Sequence, residues 1–325
     1  MRCARVLAML VLAAAPAAAQ TGAPQVPLFH SRANLVALNV SVVDASSHYV
    51  SGLQASDFAV YEDGVPQKVE FFESSAVPID LIVLLDTSAS MTDKMATVHE
   101  AALGFLRTLR PGDRGAVVAF SDHVAMLQAL TTDRAALETA VLSTQAHGAT
   151  ALDDAIYIAL KEFGRTARQA GQVRRQAIAV LSDGEDTASL VGFDDVRMLA
   201  RQTGVSIYPI GLESSDDLEA ALKNHGHRYL NEAQFSLQTL ARETGAEAFF
   251  PADAGDLKTI YARIASELAN QYSIGYVPGD SQLDGRFRRV VVQVVSRPRV
   301  TSRTRLGYVA SSAPATVAES RGRSR

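Results

Sequence analysis

The sequence has a single cysteine, Cys3, and no tryptophan among its 325 residues. One thiol cannot close an intramolecular disulfide, so a small fold stapled by disulfides is excluded. A basic excess is also absent, because 31 Lys and Arg stand against 35 Asp and Glu, a formal net charge of −4. Proteins whose main partner is a nucleic-acid backbone are usually basic. At 47% hydrophobic and 20% charged residues, the composition is that of a globular protein with a packed core.

Apolar runs long enough to span a membrane are missing as well. Residues 1–19 contain two arginines, then a short apolar run, then three alanines, which is the order found in signal peptides. The apolar run is shorter than the roughly 20 residues that a spanning helix needs. We therefore expect cleavage after Ala19, export to the periplasm or the cell exterior, and a mature chain with no cysteine and no transmembrane span.

Two segments of the chain have strand-like patterning, and a third, between them, has a different one. Apolar and polar residues alternate from Val36 to Val42, as in half-buried strands. Asp63-Gly64 indicates a tight hairpin between predicted strands at 57–61 and 68–72. The pattern predicts a lead-in at 20–32, a first β segment at 33–77, an α/β domain at 78–270, a second β segment at 271–309 and a disordered tail at 310–325.

The central segment alternates continuous apolar runs with stretches of helical spacing. Such runs are typical of strands covered on both faces of a parallel sheet, and the alternation indicates a doubly wound α/β domain. The predicted strands are Asp80–Leu85, Ala116–Phe120, Ala177–Leu181, Val205–Ile210 and Ala246–Phe250; the predicted helices are Met95–Leu109, Leu152–Phe163, Asp194–Thr203, Gln234–Thr244 and Asp256–Asn270.

The two β segments are too short for separate sheets. We expect them to form one β-sandwich-like module into which the α/β domain is inserted; the alternative is two separate β extensions.

Polar side chains follow two of the predicted parallel strands. Asp86, Ser88 and Ser90 come after the first, Asp183 follows a later one, and Thr150 opens a helix between them. Ligands bind beyond the carboxyl ends of the strands in such sheets, and hydroxyl and carboxylate oxygens suit Mg²⁺ or Mn²⁺. Mostly neutral ligands would leave the ion able to attract a carboxylate from another protein. The alternative is that Asp86 and the serines cap the helix that follows them and that Thr150 caps its own helix.

This set of residues, Asp86-x-Ser88-x-Ser90 with Thr150 and Asp183, resembles the metal-ion-dependent adhesion site of von Willebrand factor A domains. The resemblance covers about 78–270 and implies a six-stranded, mostly parallel, Rossmann-like sheet with helices on both faces. It also implies that the three hydroxyls bind the metal directly and that the two aspartates act largely through water. The flanks resemble those of exported bacterial proteins related to this family. One departure is Ala149, where a second glycine is common.

The resemblance implies a non-enzymatic, exported protein that binds an Asp or Glu of a protein partner through Mg²⁺ or Mn²⁺. One alternative is a structural module of a cell-envelope assembly, in which the metal only stabilises the fold. Another is a metal-dependent hydrolase, but the sequence indicates no general base beside the site. Ser121-Asp122-His123 contains the residue types of a catalytic triad, but consecutive residues rarely face one another, and a polar loop is expected there. Nothing in the sequence indicates an oligomeric state.

Overall fold

The computed structural model describes residues 35–74, 77–167, 174–183, 186–212 and 231–310. The predicted signal segment, the lead-in and the tail from residue 311 lie outside the described residues. The described strands are β1 Val36–Val43, β2 Phe58–Glu62, β3 Val65–Gln67, β4 Val69–Ser74, β5 Ile79–Asp86, β6 Arg114–Phe120, β7 Val124–Thr131, β8 Arg175–Ser182, β9 Ser206–Gly211, β10 Tyr272–Tyr276, β11 Phe287–Val294, β12 Thr301–Arg303 and β13 Gly307–Val309. The described helices are α1 Met95–Leu106, α2 Arg134–Leu142, α3 Leu152–Ala167, α4 Phe193–Gln202, α5 Glu232–Thr244 and α6 Leu257–Asn270.

The central sheet of the α/β domain has the strand order β7-β6-β5-β8-β9. Strands β5, β6, β8 and β9 are parallel, and β7 is antiparallel at one edge. Every residue of β5 is buried, as expected for a continuous apolar strand with layers on both faces. The predicted doubly wound, mostly parallel α/β architecture is confirmed.

Helices cover both faces of this sheet. On one face α1, α2 and α6 contribute Phe105, Leu137 and Tyr261 to a single core. On the other face α3, α4 and α5 form a second core that includes Phe163 and Leu240. Helical spacing predicts five of these helices and misses α2. Within the described part of the chain, every helix falls short of the length and apolar character needed to cross a membrane.

The resemblance implies six strands, but the central sheet has five among the described residues. The apolar runs do not predict β7, and the predicted strand at Ala246–Phe250 is wrong. Residues Ala246–Phe250 make only one parallel bridge, between Phe249 and Ile210. The Phe249 N–H donates to the carbonyl of Pro209, and its carbonyl accepts from Gly211 N. Pro251 follows and has no N–H with which to extend a ladder, so the pairing ends after one residue.

The strands on either side of the α/β domain pair with one another. One sheet has the order β12-β1-β10-β4 and the other β13-β11-β2-β3. Each sheet therefore contains strands from both ends of the chain, and we call the two sheets together the β module. Their inner faces share one core, in which the rings of Phe58 and Tyr272 lie 5.2 Å apart.

The hairpin at Asp63-Gly64 forms, but its second strand differs from the prediction. Asp63 and Gly64 have φ values of 48° and 83°, the positive pair that a two-residue type I′ turn requires. The partner of β2 is the short β3. The predicted strand at 68–72 becomes β4, which crosses to the other sheet and pairs with β10. Local turn chemistry specifies the hairpin, whereas the pairing of β4 depends on a strand about 200 residues away in sequence.

A buried polar cluster connects the β module to the α/β domain. We call Ser41, Tyr49, Tyr208, Glu267 and Arg303 the junction cluster. Ser41 Oγ and Tyr208 OH donate to Glu267 Oε1 at 2.8 and 3.1 Å. Tyr49 OH donates to Glu267 Oε2 at 3.2 Å, and the Arg303 guanidinium donates to the same oxygen. Because Glu267 is only 1% exposed, its charge is stabilised by these fixed donors rather than by water.

Candidate metal centre

The candidate site begins where β5 and β8 end side by side. Asp86 is the last residue of β5 and is fully buried. Its Oδ2 accepts a hydrogen bond from Ser182 Oγ at 2.6 Å, and its Oδ1 accepts one from Ser88 N at 2.8 Å. Burial raises the pKa of Asp86 despite these two donors. The carboxylate is therefore held rigidly, in surroundings that disfavour its negative charge.

A chain of hydrogen bonds continues from Ser88 toward solvent. Ser88 Oγ lies 3.0 Å from Ser90 Oγ, and Ser90 Oγ donates to Asp183 Oδ1 at 2.7 Å. Ser88 and Asp183 are buried, whereas Ser90 is exposed. The other oxygen of Asp183, Oδ2, accepts from the ammonium of Lys94. We call Asp86, Ser88, Ser90, Lys94 and Asp183 the edge cluster.

The helix-capping explanation of the serines is not supported at Ser88. Ser88 is the N-cap residue of the short 3₁₀ turn Ala89–Lys94, but its side chain makes no capping hydrogen bond. Its hydroxyl is directed to Ser90 instead. The side chain is thus oriented toward the other oxygen atoms of the edge cluster.

The loop that carries Thr150 lies against the Asp86–Ser90 loop. His147 N donates to the carbonyl of Thr87 at 2.6 Å, and Ala89 N donates to the carbonyl of Gly148 at 3.1 Å. Gly148 has a φ of +76°, and a Cβ there would lie 2.8 Å from Asp122 Oδ1. Glycine is therefore required at 148, whereas Ala149 is exposed and tolerates its side chain.

Thr150 is buried, and its backbone N–H and carbonyl both form hydrogen bonds with the loop that follows β8. Its carbonyl accepts from Thr187 N and Ala188 N at 2.9 and 3.0 Å, and its N–H donates to Thr187 Oγ1 at 3.1 Å. These bonds fix the loop that follows β8 against the start of α3. Of the five residues that the sequence singles out, hydrogen bonds join Asp86, Ser88, Ser90 and Asp183 into one network, and Thr150 lies on the adjoining loop.

Sequence reasoning missed Lys94 and Ser182, which also belong to this region. Ser182 directly precedes Asp183, so its position at the strand end was a usable signal. Lys94 lies four residues after Ser90. The sequence signal for it is that a basic residue occurs in a loop otherwise rich in acidic and hydroxyl side chains. Its contact with Asp183 depends on the reach of a long side chain across two loops.

The donor set fits a hard divalent cation. Among the described residues, no three His, Cys, Asp or Glu side chains converge as a metal centre, so an ion at this edge depends on hydroxyl oxygens in addition to the two carboxylates. Hydroxyl and carboxylate oxygens are ligands of Mg²⁺ and Mn²⁺ and poor ligands for softer metals. Asp86 and Asp183 also bring two negative charges against the one positive charge of Lys94, which leaves net negative charge for a cation to neutralise.

A second group of carboxylates lies at the start of α3. Asp186 Oδ2 accepts from the backbone N–H of Asp153 at 2.8 Å, and the carboxylate of Asp154 accepts from the backbone of the same loop at Val191. Burial, followed by the charges of Asp186 and Asp154, raises the pKa of Asp153 to about 6. The mutual repulsion of these aspartates thus adds to the effect of burial on the pKa of Asp153.

The α/β domain matches a known family. The family model of the von Willebrand factor type A domain matches residues 80–263. The chain is 33% identical over 114 residues to an uncharacterized protein of Synechocystis, a match that covers 34% of this chain and 26% of that protein. It is 27% identical over 237 residues to a UPF0353 protein of Mycobacterium leprae, a match that covers 68% of each. The chain thus spans about a quarter of the first relative and about two thirds of the second.

Solved structures with a similar arrangement include a von Willebrand factor type A protein from Catenulispora acidiphila. The TM-score is 0.48 at 14% identity, with 86% of this chain and 75% of that chain covered. The conserved hypothetical protein BatB from Bacteroides thetaiotaomicron has a TM-score of 0.45 at 18% identity, with 59% of this chain and 98% of that chain covered.

Proposed function

This chain belongs to the von Willebrand factor type A domain family, and on that premise we propose that its edge cluster is a metal-dependent site for binding another protein. The ion is Mg²⁺ or Mn²⁺, and the partner contributes an aspartate or glutamate. The hydroxyls of Ser88, Ser90 and Thr150 bind the ion directly. Asp86 and Asp183 hold it largely through water molecules.

One observation supports this proposal above the others. Asp86 and Asp183, both buried, are connected to Ser88 and Ser90 by a continuous set of hydrogen bonds at the carboxyl ends of β5 and β8. That position is where parallel α/β sheets bind ligands. A divalent ion there would replace hydrogen bonds among the side chains with stronger bonds from their oxygen atoms to a cation, and it would add to the single positive charge of Lys94.

The requirement for a partner carboxylate follows from charge and access. Three of the proposed ligands are neutral hydroxyls, so the ion keeps much of its positive charge. Ser90 is exposed while Ser88 and Thr150 are buried, so the ion is reached from the side of Ser90. An acidic side chain approaching there completes the coordination and neutralises the charge, which favours a protein ligand over a neutral one.

A hydrolase is less well supported, because the nearby Ser121, Asp122 and His123 are arranged differently from a nucleophile and its base. Ser121 Oγ donates to Asp122 Oδ1 at 3.0 Å, and His123 Nδ1 lies 3.1 Å from the same oxygen. Asp122 therefore lies between the serine and the histidine, whereas an activated nucleophile needs its base adjacent. We propose a binding protein and not an enzyme.

The remaining parts of the chain are assigned by the same reasoning. We propose that 33–77 and 271–309 act as one module, because each of its sheets contains strands from both segments. The export signal proposed for 1–19 places the binding edge in the periplasm or outside the cell. The competing assignment is a structural module of the cell envelope, with the ion serving only the fold.

A thermal melt of the full chain separates these two assignments. Melting temperatures are measured in EDTA, Mg²⁺ and Mn²⁺ for the wild type and for Ser88→Ala. If the site binds metal, an ion at about 100 times its Kd raises the melting temperature by about 5 °C, and Ser88→Ala removes that rise. Thr92→Ala removes a hydroxyl from the same turn, one that donates to the carbonyl of Ala89, and keeps the rise.

The values in EDTA decide the role of the ion. In a binding protein Ser88→Ala melts within about 2 °C of the wild type in EDTA, because the lost hydrogen bond to Ser90 is between two neutral hydroxyls. A wild type that unfolds outright in EDTA would instead indicate a structural metal. Absence of any ion-dependent rise, together with no Mg²⁺-dependent retention on an immobilised aspartate-rich peptide, would contradict the proposed function.

A further inference from the structure

The edge cluster contains its own cation. Lys94 ends the 3₁₀ turn Ala89–Lys94 and directs its ammonium onto Asp183 Oδ2, while Ser90 occupies Oδ1 of the same carboxylate. The Asp183 side chain is 1% exposed and that of Lys94 is 29% exposed. The carboxylate is therefore enclosed by protein, whereas the side chain that carries the ammonium is partly open to solvent.

In the described part of the chain, no other basic side chain acts as a counter-ion to the edge cluster. Among the residues that the structure describes, Lys94 is the one Lys or Arg that contacts a carboxylate of Asp86 or Asp183; the other donors to these groups are Ser88, Ser90 and Ser182. Among the described residues, Asp183 thus has a single ammonium as its counter-ion, and Asp86 accepts from neutral donors.

We infer that Lys94 is a built-in competitor of the divalent cation, holding Asp183 when no metal is bound and leaving it when metal binds. The inference rests on the proposed metal site. An ammonium in contact with Asp183 and a divalent ion held by the neighbouring Ser90 repel each other at short range. Lys94 reaches water by rotating its own stem, so its departure needs no change in β5 or β8.

The competition tempers the affinity of the site for metal. Metal binding must break the ion pair between Lys94 and Asp183, which reduces the free energy of binding. The site therefore binds metal more weakly than the same oxygen atoms would without Lys94. An acidic group from a partner, which is attracted by both the ion and the released ammonium, then adds to the occupancy of the site. Metal binding and partner binding are thus coupled through the position of Lys94.

The test is the dissociation constant of Mn²⁺, measured by isothermal titration calorimetry on the full chain. Lys94→Met keeps the stem and removes the ammonium, and we expect it to lower the Kd at least about tenfold, the effect of one charge at contact distance. Lys94→Arg keeps the charge and the wild-type Kd to within about threefold. Lys161→Met, which removes an equal charge from an ammonium 5.1 Å above the Tyr157 ring on α3, stays within about twofold of the wild type.

Melting temperatures provide a second readout that does not depend on calorimetry. In EDTA, Lys94→Met melts below the wild type because Asp183 has lost its counter-ion. In saturating Mn²⁺ the difference disappears, because the ion takes over that role. If Lys94→Met does not fold in EDTA, Lys94→Gln and refolding in Mn²⁺ give the same comparison.

The outcomes separate this inference from the function on which it rests. If Mn²⁺ binds to the wild type and is lost in Ser88→Ala, but Lys94→Met binds it equally or more weakly, Lys94 is no competitor and the metal site still stands. If none of the proteins binds Mn²⁺, both proposals are wrong. A lower Kd in Lys94→Met with an unchanged Lys161→Met supports both.

Discussion

The edge cluster and the junction cluster both bury carboxylates, but they satisfy them in opposite ways. In the junction cluster one carboxylate, Glu267, accepts from three hydroxyls and a guanidinium that lie on separate elements. In the edge cluster Asp86 accepts from a hydroxyl and a backbone N–H, whereas Asp183 accepts from one hydroxyl and one partly exposed ammonium. The first arrangement has its donors complete, whereas the second has an excess of acceptors.

That difference separates a structural polar cluster from a binding site. A buried charge with complete, rigid donors stabilises one arrangement of the chain and has no capacity for a ligand. The carboxylates of the edge cluster carry more negative charge than Lys94 neutralises, and they lie at a strand edge that solvent reaches. A cation from solution can therefore stabilise them further. Substitutions in the two clusters should therefore respond differently to metal. One change in each cluster and a third at Asp153 follow, from the largest expected effect to the smallest.

Glu267→Ala should be the most damaging of the three. It leaves the Arg303 guanidinium without its buried partner and removes the acceptor of Ser41, Tyr49 and Tyr208, so we expect the free energy of unfolding to fall by about 3 kcal/mol. Urea unfolding in EDTA and in Mg²⁺ measures this loss, which should be the same in both. Tyr49→Phe removes one donor and should lower stability by only about 1 kcal/mol. A loss for Glu267→Ala that Mg²⁺ restores would break the distinction between the clusters.

Asp183→Ala should lower stability by about 2 kcal/mol in EDTA, because Ser90 loses its acceptor and Lys94 its counter-ion. The same change should abolish the rise in melting temperature with Mg²⁺. Differential scanning calorimetry with and without the ion checks both expectations. Glu247→Ala is the matched control, because Glu247 is a partly buried carboxylate that pairs with Arg263 and Arg303 and does not belong to the edge cluster. An undiminished Mg²⁺ response in Asp183→Ala would contradict the proposed site.

The third change is at Asp153, and its effect depends on pH. We expect the free energy of unfolding to change by about 1 kcal/mol after allowance for solvent screening. Its pKa in the folded chain is about 6, above the ordinary value of 3.8. The folded state therefore binds the proton more tightly than the unfolded state, so stability is greatest below pH 4 and is lost as the pH rises through 6. Asp153→Asn should be more stable than the wild type at pH 7 and equal to it at pH 4, measured by urea unfolding in EDTA. Equal stability at both pH values would show that Asp153 is not perturbed.

Local patterns in the sequence account for the features that depend on few contacts. The burial of β5 follows from its continuous apolar run, and the hairpin follows from Asp63-Gly64. The positions of Asp86, Ser88, Ser90 and Asp183 after two parallel strands predict that they lie at one sheet edge, because parallel strands end at the same side.

The remaining features depend on long-range contacts that no local pattern contains. Glu267 lies on a helix, where a glutamate is ordinarily exposed, and its burial requires donors from β1, β9 and β12. Helix α2 has only nine residues, too few for a strong periodic signal, although Asp133 caps it. The contact between Lys94 and Asp183 joins residues that are 89 positions apart.

The most direct test of the central claim is anomalous diffraction from crystals of the full chain grown with Mn²⁺. The account predicts an anomalous peak within coordination distance of the hydroxyls of Ser88 and Ser90, with the ammonium of Lys94 withdrawn from Asp183. Crystals saturated with Mn²⁺ that show no peak at this edge, and in which Lys94 still contacts Asp183, would contradict it.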